Sequence, residues 1–381
     1  MKLLHLADLH LGKIVKDFNM VDDQRYMLNK VIELIKSENI DAVMIAGDVY
    51  DRSIPSEDAV QLFDDFIYEL TEIPVKVFLI SGNHDSDERL NFGSRIFVEK
   101  GVFFAAKYEG NLYKKTLEDE FGPINFYLMP FIKAAQVRAF FPDSEIKNYD
   151  DAVRTVLKNS DINTDERNII LAHQFVAGRS GEIALSGSEG VATKHVGLVE
   201  QIGFDVFDDF DYAALGHIHK AQAVGREEVR YSGTLLKYHV DEVDDVKSVP
   251  IVTIGEKGSV SIEFKEIKPK REMRLLKGTL KQLLSPENIT NADDYIIAVL
   301  TDEEPVLDVM NIFRQYYPNT MHLSYEFEKS ISEEMVDIDR LTEIKSFPEL
   351  ISEFYSQMYG MEISDEELKL MNKIAEEVDV R

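Results

Sequence analysis

The chain has 381 residues, 44% of them hydrophobic, which is enough for two or three domains with buried cores and too much for a globally disordered protein. It contains no cysteine, and this excludes disulfides, a thiolate zinc site and a cysteine nucleophile. Its formal net charge of −28, from 42 basic and 70 acidic side chains, is opposite to that of proteins that hold nucleic acid by a basic surface alone. A nucleic-acid ligand would therefore need a partner or a local basic stripe.

The N-terminal segment MKLLHLADLH carries one aspartate and two histidines where a signal peptide needs an unbroken apolar stretch. No window of the sequence reaches the length of a membrane span. The sequence therefore predicts a soluble protein of the cytoplasm with no membrane segment.

The first half of the chain alternates predicted strands and helices. The apolar runs KLLHLA, DAVMIA and VKVFLIS predict strands, and residues 20–37 carry apolar side chains at helical spacing. Ser56, followed by two acidic residues, predicts the start of a second helix. Residues 88–100 also have a helical pattern. Near-continuous apolar strands between helices predict an α/β sandwich whose strands are buried on both faces.

The second half is richer in predicted strands as far as residue 270. Residues 178–190, rich in glycine and serine, predict a flexible loop. The basic run KEIKPKREMR predicts a linker near 268–272, with a small α/β unit after it. The C-terminal end predicts two amphipathic helices, the second with a capping box between Ser364 and Glu367.

Short polar motifs follow the predicted strands at their carboxyl ends, where α/β folds collect their chemistry. The motifs are Asp8-Leu9-His10, Gly47-Asp48, Gly82-Asn83-His84-Asp85, His173 and Gly216-His217-Ile218-His219. They offer the mixed oxygen and nitrogen ligands that suit a pair of divalent transition metals. Two such ions about 3.5–4 Å apart activate water and cancel charge on a phosphorus centre. The pattern therefore predicts a two-metal phosphoesterase.

The spacing of these residues indicates how they would bind. Asp48, a single acid directly after a glycine at a strand end, is the candidate for a carboxylate that bridges two ions. Asp8 and His10 lie two residues apart and project to the same side of an extended segment, as do His217 and His219.

The remaining candidates leave alternatives open. Asn83 offers a neutral carbonyl ligand, and His84 beside it is free to donate a proton. His173 is predicted to be a ligand from its strand-end position, with a buried, hydrogen-bonded histidine as the alternative. Asp85 could orient His84 or be a solvated turn acid. The pair Asp51-Arg52 could orient the site, contact phosphate or be structural. Four further histidines are predicted to lie in the core (His5) or at the surface or behind the ligands (His195, His239 and His322).

Longer motifs carry a resemblance to a known family. They are ADLHLGK at 7–13, AGDVYDRSIPSEDA at 46–59, SGNHDS at 81–86, AHQFVAG at 172–178, YAALGHIHKAQ at 212–222 and YSGTLLKY at 231–238. These resemble the calcineurin-like metallophosphoesterases and, more narrowly, the SbcD-type nucleases of bacterial double-strand-break repair. The resemblance spans the chain. It implies a four-layer α/β/β/α sandwich over 1–268, a small α/β capping domain over 269–335, and C-terminal helices over 336–381.

The resemblance also implies roles for the site residues. It assigns one metal to Asp8, His10, Asp48 and His219, the other to Asp48, Asn83, His173 and His217, and proton donation to His84. The implied ions are two Mn²⁺, although the ligand set also admits iron, zinc or magnesium. It implies a homodimer and an SbcC-type ATPase docked on the C-terminal helices, whose apolar faces suit a helix-in-groove contact. Packing of these helices on their own domain is the alternative.

The expected function is metal-dependent exonuclease and endonuclease action on DNA double-strand ends and hairpins. A small-molecule phosphodiesterase or phosphatase of the same superfamily is the alternative, because fold alone does not determine substrate. The additional C-terminal segments argue against that alternative. A non-catalytic scaffold that only tethers DNA ends is a third possibility, and the complete ligand set with His84 argues against it.

Overall fold

The computed structural model describes residues 1–178, 183–185 and 201–326, with Tyr355, Ile363, Ser364, Glu367 and Leu368. His195, most of the predicted loop over 178–190 and the body of the two predicted C-terminal helices lie outside the described residues. The predicted capping box is confirmed. The Ser364 hydroxyl accepts the Glu367 N–H at 3.4 Å, and the Glu367 carboxylate accepts the Ser364 N–H at 3.1 Å.

The chain divides into two compact units. The first comprises Met1–Arg274 with Asp293–Tyr295, and the second comprises Leu275–Ala292 with the residues from Ile296 onward. Among the described helices, none is long and apolar enough to cross a membrane.

The first unit is built on two six-stranded sheets with flanking helices. Its strands are β1 (Lys2–Leu6), β2 (Ile14–Val15), β3 (Phe18–Asn19), β4 (Ala42–Ala46), β5 (Lys76–Ile80), β6 (Val102–Ala105), β7 (Tyr113–Asp119), β8 (Gly122–Met129), β9 (Arg167–His173), β10 (Val176–Ala177), β11 (Ile202–Gly203), β12 (Tyr212–Gly216), β13 (Gln222–Val224), β14 (Arg226–Tyr231), β15 (Ser248–Ile254) and β16 (Val260–Glu266). Its helices are α1 (Val21–Glu38), α2 (Glu57–Thr71), α3 (Asp87–Leu90), α4 (Ser94–Phe97), α5 (Ala134–Phe140) and α6 (Tyr149–Lys158), with 3₁₀ turns at Val98–Lys100, Phe204–Phe207 and Val240–Glu242.

Both sheets are mainly parallel, with antiparallel strands at one edge of the first sheet and at both edges of the second. The first has the order β16-β15-β1-β4-β5-β6 and is parallel from β1 to β6. The second has the order β13-β14-β12-β9-β8-β7 and is parallel from β14 to β8. The carboxyl ends of neighbouring parallel strands lie along one edge of each sheet, which is where the polar motifs occur.

The two sheets pack face to face over a shared apolar core. Phe78 on β5 stacks on Phe126 on β8, with ring centroids 4.0 Å apart. The other face of the second sheet packs against α5 and α6 through residues such as Val137 and Val153. Alternate residues of β1, β4 and β5 are buried on the opposite face of their sheet, as are the apolar faces of α1 and α2. This confirms the predicted four-layer sandwich.

The helix predictions have mixed outcomes. Helix α1 matches the predicted segment, and the Ser56 hydroxyl accepts the Ala59 N–H at the start of α2 as predicted. The helix predicted over 88–100 is broken into short pieces, because Gly93 adopts a φ of +76° between α3 and α4. Strand β7 and helices α5 and α6 were not predicted.

The second unit contains the predicted small α/β arrangement. A three-stranded sheet has the order β17 (Met273–Gly278), β18 (Tyr295–Leu300) and β19 (Thr320–Tyr325), with short helices α7 (Leu280–Leu283) and α8 (Val309–Arg314). The first residues of β17 and β18, as far as Arg274 and Tyr295, belong to the first unit. Its small core contains Ile296, Ala298, Leu300, Phe313, Tyr317 and Tyr325.

Candidate metal centre

The predicted site residues converge at the carboxyl ends of five parallel strands. Asp8, Asp48 and Asn83 follow β1, β4 and β5, which are neighbours in the first sheet. His173 ends β9, and His217 follows β12, its neighbour in the second sheet. Stacking the two sheets therefore brings segments far apart in sequence to one centre.

The loops after these strands have an unusual backbone. Asp8, His10, Asp48 and His217 have φ values of +52°, +44°, +49° and +105°, a region that residues with a side chain rarely occupy. Hydrogen bonds between the loops hold these conformations: the Asp8 N–H donates to Gly47 O at 3.1 Å, and the His10 N–H to Asp48 O at 3.0 Å. Strained backbone of this kind persists where the surroundings determine it fully, and it concentrates at functional sites.

Glycines in the motifs allow the ligand side chains to approach the backbone closely. A Cβ at Gly82 would lie 2.1 Å from Asp48 Oδ1. A Cβ at Gly216 would lie 2.0 Å from Ala46 O and 2.7 Å from His173 Nδ1. Any side chain at either position would displace a candidate ligand, which is the physical reason for glycine in these motifs.

One carboxylate oxygen lies at the centre of the cluster. Asp48 Oδ2 is 3.3 Å from His173 Nε2, 3.7 Å from His10 Nε2 and 4.0 Å from His84 Nε2. Asp48 Oδ1 accepts the backbone N–H of His84 at 2.9 Å. An anion that faces three imidazoles is well placed to serve two cations at once.

His10 and His219 form one side of the centre. Their Nε2 atoms are only 3.0 Å apart, and both side chains are buried. Burial lowers the pKa of His10 to about 3 and the pKa of His219 well below its ordinary value. Both rings are therefore neutral at pH 7, which is the form that binds a metal.

His173, Asn83 and His217 form the other side. Asn83 Oδ1 lies 3.2 Å from His173 Nε2 and 3.0 Å from His217 Nδ1. His173 Nδ1 donates to Ala46 O at 2.7 Å, which directs Nε2 toward the centre. Burial is the largest single effect and favours the neutral ring. The charge and hydrogen bond of Asp48, the charge of Asp8 and the bond to Ala46 O together exceed it and raise the pKa of His173 to about 9. The negative surroundings of His173 Nε2 thus favour a cation next to this atom.

The residues present fit a pair of divalent ions. Candidate ligand atoms lie within 4.8 Å of one another in three groups: Asp8–His10–His219, His10–Asp48–His84 and Asp8–Asp48–His173. Two carboxylates buried in one centre need compensating positive charge, because burial of an isolated anion is costly. The facing Nε2 atoms of His10 and His219 also need a cation or a proton between them. The fold and this cluster together suggest a dimetal site.

His84 is more exposed than the three buried histidines of the centre. Its side chain is 39% exposed, whereas the side chains of His10, His173 and His219 are buried. Its Nδ1 donates to Asp51 O at 2.9 Å, so that Nε2 is turned toward the centre. A histidine held in this way can reach both the centre and a molecule arriving from solvent.

The structure contradicts the prediction for Asp85 and gives Asp51 an additional partner. Asp85 neither orients His84 nor lies in solvent: it is buried, and its carboxylate accepts the backbone N–H groups of residues 49, 50 and 82. Burial, together with the nearby charge of Asp48, raises the pKa of Asp85 to about 6. It therefore joins the loops after β4 and β5. Asp51 Oδ2 lies 3.6 Å from Arg52 Nε, which agrees with the predicted structural pair, and Asp51 forms a shorter ion pair with Lys13 at 2.7 Å. Its Oδ1 is also 3.6 Å from His10 Nδ1, so this acid contacts a candidate ligand.

The other described histidines lie outside the centre. His5 is buried and its Nδ1 is 2.9 Å from the Tyr212 hydroxyl, which confirms the predicted core position. His239 Nδ1 accepts the Asp241 N–H at the start of a 3₁₀ turn, and His322 is exposed on β19.

Two buried side chains behind the centre were not predicted. Gln24 Nε2 donates to His10 O at 2.7 Å, and the Tyr238 hydroxyl donates to Leu9 O at 3.1 Å. Tyr238 lies in the motif YSGTLLKY, which was a usable signal. Gln24 lies on a helix face with no motif, so nothing local distinguished it.

Comparison with known proteins identifies the family. Residues 1–221 match the calcineurin-like phosphoesterase family, and residues 269–359 match the type 5 capsule protein repressor C-terminal domain. The SbcD component of the SbcCD nuclease of Staphylococcus saprophyticus is 32% identical over 98% of this chain and 97% of its own length. A dimetal phosphatase from Danio rerio has 12% identity and a TM-score of 0.41, covering 71% of this chain and 97% of its own. The chain therefore belongs to the calcineurin-like phosphoesterases and, within them, to the metal-dependent nucleases of the SbcD family.

Proposed function

We propose that this chain hydrolyses DNA phosphodiester bonds, as an exonuclease and endonuclease at double-strand ends and hairpins in the cytoplasm. The observation that carries the proposal is the buried Asp48 carboxylate, which faces His10 and His173 with the partly exposed His84 beside it. This arrangement combines a place for two cations with a proton donor accessible to a large substrate. The family match favours a nuclease over the small-molecule alternative.

The ligand sets of the proposed ions follow from the two sides of the centre. The first ion would be held by Asp8, His10, Asp48 and His219, and the second by Asp48, Asn83, His173 and His217. The short distances within each side and the central position of Asp48 Oδ2 support this division. Mn²⁺ is the ion we propose, because the resemblance to the SbcD-type nucleases implies it. The mixed carboxylate, amide and imidazole ligands agree with Mn²⁺ and also admit iron, zinc or magnesium.

The chain's own residues define the rest of the mechanism. When bound, the pair of ions activates water and neutralises charge on the phosphate. His84, held by its Nδ1–H bond to Asp51 O, would present a protonated Nε2 to the leaving oxygen of the scissile bond. The loop bonds between Asp48, Asp85 and their neighbours keep this histidine and the bridging carboxylate in fixed positions.

The family and the net charge of the chain both favour a partner protein. The name of the Staphylococcus relative describes one component of a complex. We propose an SbcC-type ATPase as the partner, supplying the DNA grip that a chain of net charge −28 lacks. We propose the domain limits 1–268, 269–335 and 336–381, with the last segment binding this partner.

We further propose that the chain forms a homodimer through an apolar surface of the first unit. A groove of about 330 Å³ lies between α2 and the α3–α4 segment, lined by Val60, Phe63 and Ile67. At its rim, Phe92 is 87% exposed and Ile96 is 74% exposed. Large apolar side chains exposed next to one another are typical of protein–protein contacts.

The test is cleavage of a hairpin-ended DNA duplex by the purified chain with Mn²⁺, beside bis-p-nitrophenyl phosphate as a generic diester. Hairpin cleavage that is lost in His84→Ala supports the proposal. If the chain hydrolyses the generic diester but not DNA, the DNA assay is repeated with the complex that contains the ATPase. If DNA remains uncut by that complex, the DNA substrate is wrong.

A further inference from the structure

The first turn of helix α1 has a buried glutamine that bonds to the loop after β1. Gln24 is 3% exposed, its Nε2 donates to His10 O at 2.7 Å, and its Oε1 accepts the Gly12 N–H at 3.0 Å. The same amide lies 3.0 Å from the Tyr238 hydroxyl, which itself bonds to Leu9 O. The Gln24 side chain thus holds the loop at two points, His10 and Gly12.

This loop needs external support. His10 has a φ of +44° and Gly12 a φ of +86°, so two nearby residues adopt left-handed conformations. For His10, which has a side chain, this conformation is strained and needs fixed partners. Since the orientation of the His10 ring depends on that backbone, Gln24 contributes, with the bond from the His10 N–H to Asp48 O, to where His10 Nε2 points.

The residue before it, Asp23, bonds in a different direction. Its carboxylate is fully buried, and Oδ2 accepts from Arg271 Nη1 at 2.5 Å and from the Tyr295 hydroxyl at 2.8 Å. The Tyr295 ring packs edge-on against Phe18, with centroids 5.7 Å apart. A buried carboxylate with an arginine partner is a rigid attachment, because separating the pair would leave a charge in the core.

Arg271 and Tyr295 lie where the chain passes between the two units. The chain leaves the first unit after Arg274, returns for Asp293–Tyr295 and leaves again. We call residues 271–274 and 293–295 the stem. Its two segments are joined by the Tyr295 N–H bond to Glu272 O at 2.8 Å and by the Arg274–Asp294 ion pair at 2.8 Å.

We propose that the first turn of α1 couples the stem to the metal-binding loop. Gln24 and Asp23 are positioning residues. Gln24 holds the backbone of His10, and Asp23 holds the stem. Because the two residues are adjacent in one helical turn, they move together. A displacement of the stem would then alter the affinity of the ion that His10 binds. This inference rests on the proposed two-metal function.

The test is titration of the full-length protein with Co²⁺, followed by its visible absorption. Gln24→Leu should weaken one of two Co²⁺ ions by about 10–100-fold, which is the usual effect of losing a side chain that orients a ligand. The other ion should be bound as in the wild type. Gln61→Leu is the matched control, because Gln61 is exposed on α2 and bonds only to Asp65 among the described residues.

The stem is tested separately with Tyr295→Phe. This change keeps the ring against Phe18 and removes only the hydroxyl that donates to Asp23. It should weaken the same ion by about 2–10-fold, since one hydrogen bond is lost and the Arg271 pair remains. Tyr316→Phe, at an exposed tyrosine of the second unit, is the control.

The outcomes distinguish this inference from the function on which it rests. If the wild type binds no Co²⁺, the two-metal function fails. If the wild type binds two ions and Gln24→Leu or Tyr295→Phe binds both equally well, the coupling is wrong. If thermal melting shows that Gln24→Leu is unfolded, Gln24→Glu replaces it. That variant has the same size but cannot donate to His10 O, and it should weaken the same ion.

Discussion

Replacement of His84 by alanine separates the two roles that its position allows. In the structure, His84 Nε2 is 4.0 Å from Asp48 Oδ2, and His84 belongs to a cluster with His10 and Asp48 whose ligand atoms lie within 4.8 Å. Its other nitrogen donates to Asp51 O, and its side chain is 39% exposed. We therefore expect His84→Ala to keep both metals and to lose proton donation.

The size of the loss follows from the chemistry. A positioned general acid contributes typically about 10²–10⁴-fold to a rate, which corresponds to about 3–5 kcal/mol of transition-state stabilisation. A DNA leaving group needs the proton, whereas p-nitrophenolate is a stable anion. The variant should therefore lose much more activity on DNA than on bis-p-nitrophenyl phosphate. Because the ring is partly in solvent, the melting temperature should change little.

The assay combines metal content by mass spectrometry with kcat on both substrates, using His322→Ala as the control at an exposed histidine. Loss of one equivalent of metal from His84→Ala would make His84 a ligand and refute the assigned role. Equal losses on DNA and on the generic diester would refute general acid catalysis by this residue even if both metals remain.

Further predictions concern the bridging position, the glycine beside it, the dimer and an ion pair. Asp48→Asn should lose both metals in metal analysis, since Oδ2 faces both sides of the centre; two retained equivalents would contradict the bridge. Gly82→Ala should also lose metal and melt at a lower temperature, because its Cβ would lie 2.1 Å from Asp48 Oδ1. Ile96→Glu should convert a dimer into a monomer in light scattering while leaving metal content unchanged; an unchanged mass would exclude this surface. The hydrogen bond from Arg167 lowers the pKa of Asp119 from 3.8 to about 2, so the pair stabilises the fold above pH 4 and this stabilisation is lost as the pH falls toward 2. Arg167→Met should therefore reduce the melting temperature at pH 7, with a smaller difference from wild type at pH 2; an equal difference at both pH values would contradict this.

Most of the sandwich could be predicted because its strands are local signals. Strands β1, β4, β5, β9 and β12 are apolar runs, and each is followed by the polar motif that the fold places at the site. The errors fell where local pattern was ambiguous. The segment over 88–100 has helical apolar spacing, but Gly93 interrupts it with a positive φ, so only short helices form.

The sequence alone determined which residue types form the centre and the order in which they occur. Asp8, Asp48 and His217 each follow an apolar run closely, so they could be identified from their neighbours in the sequence. Their positive φ values could not, because bonds between loops hold them, and the extended backbone predicted for Asp8–His10 and His217–His219 is wrong. Only the tertiary structure decided which atoms face one another. The contact between His10 and His219 joins residues 209 positions apart in the chain, and the one between Gln24 and Tyr238 joins residues 214 apart. Such contacts depend on how the sheets and helix α1 pack, and packing is a property of the whole core rather than of any segment.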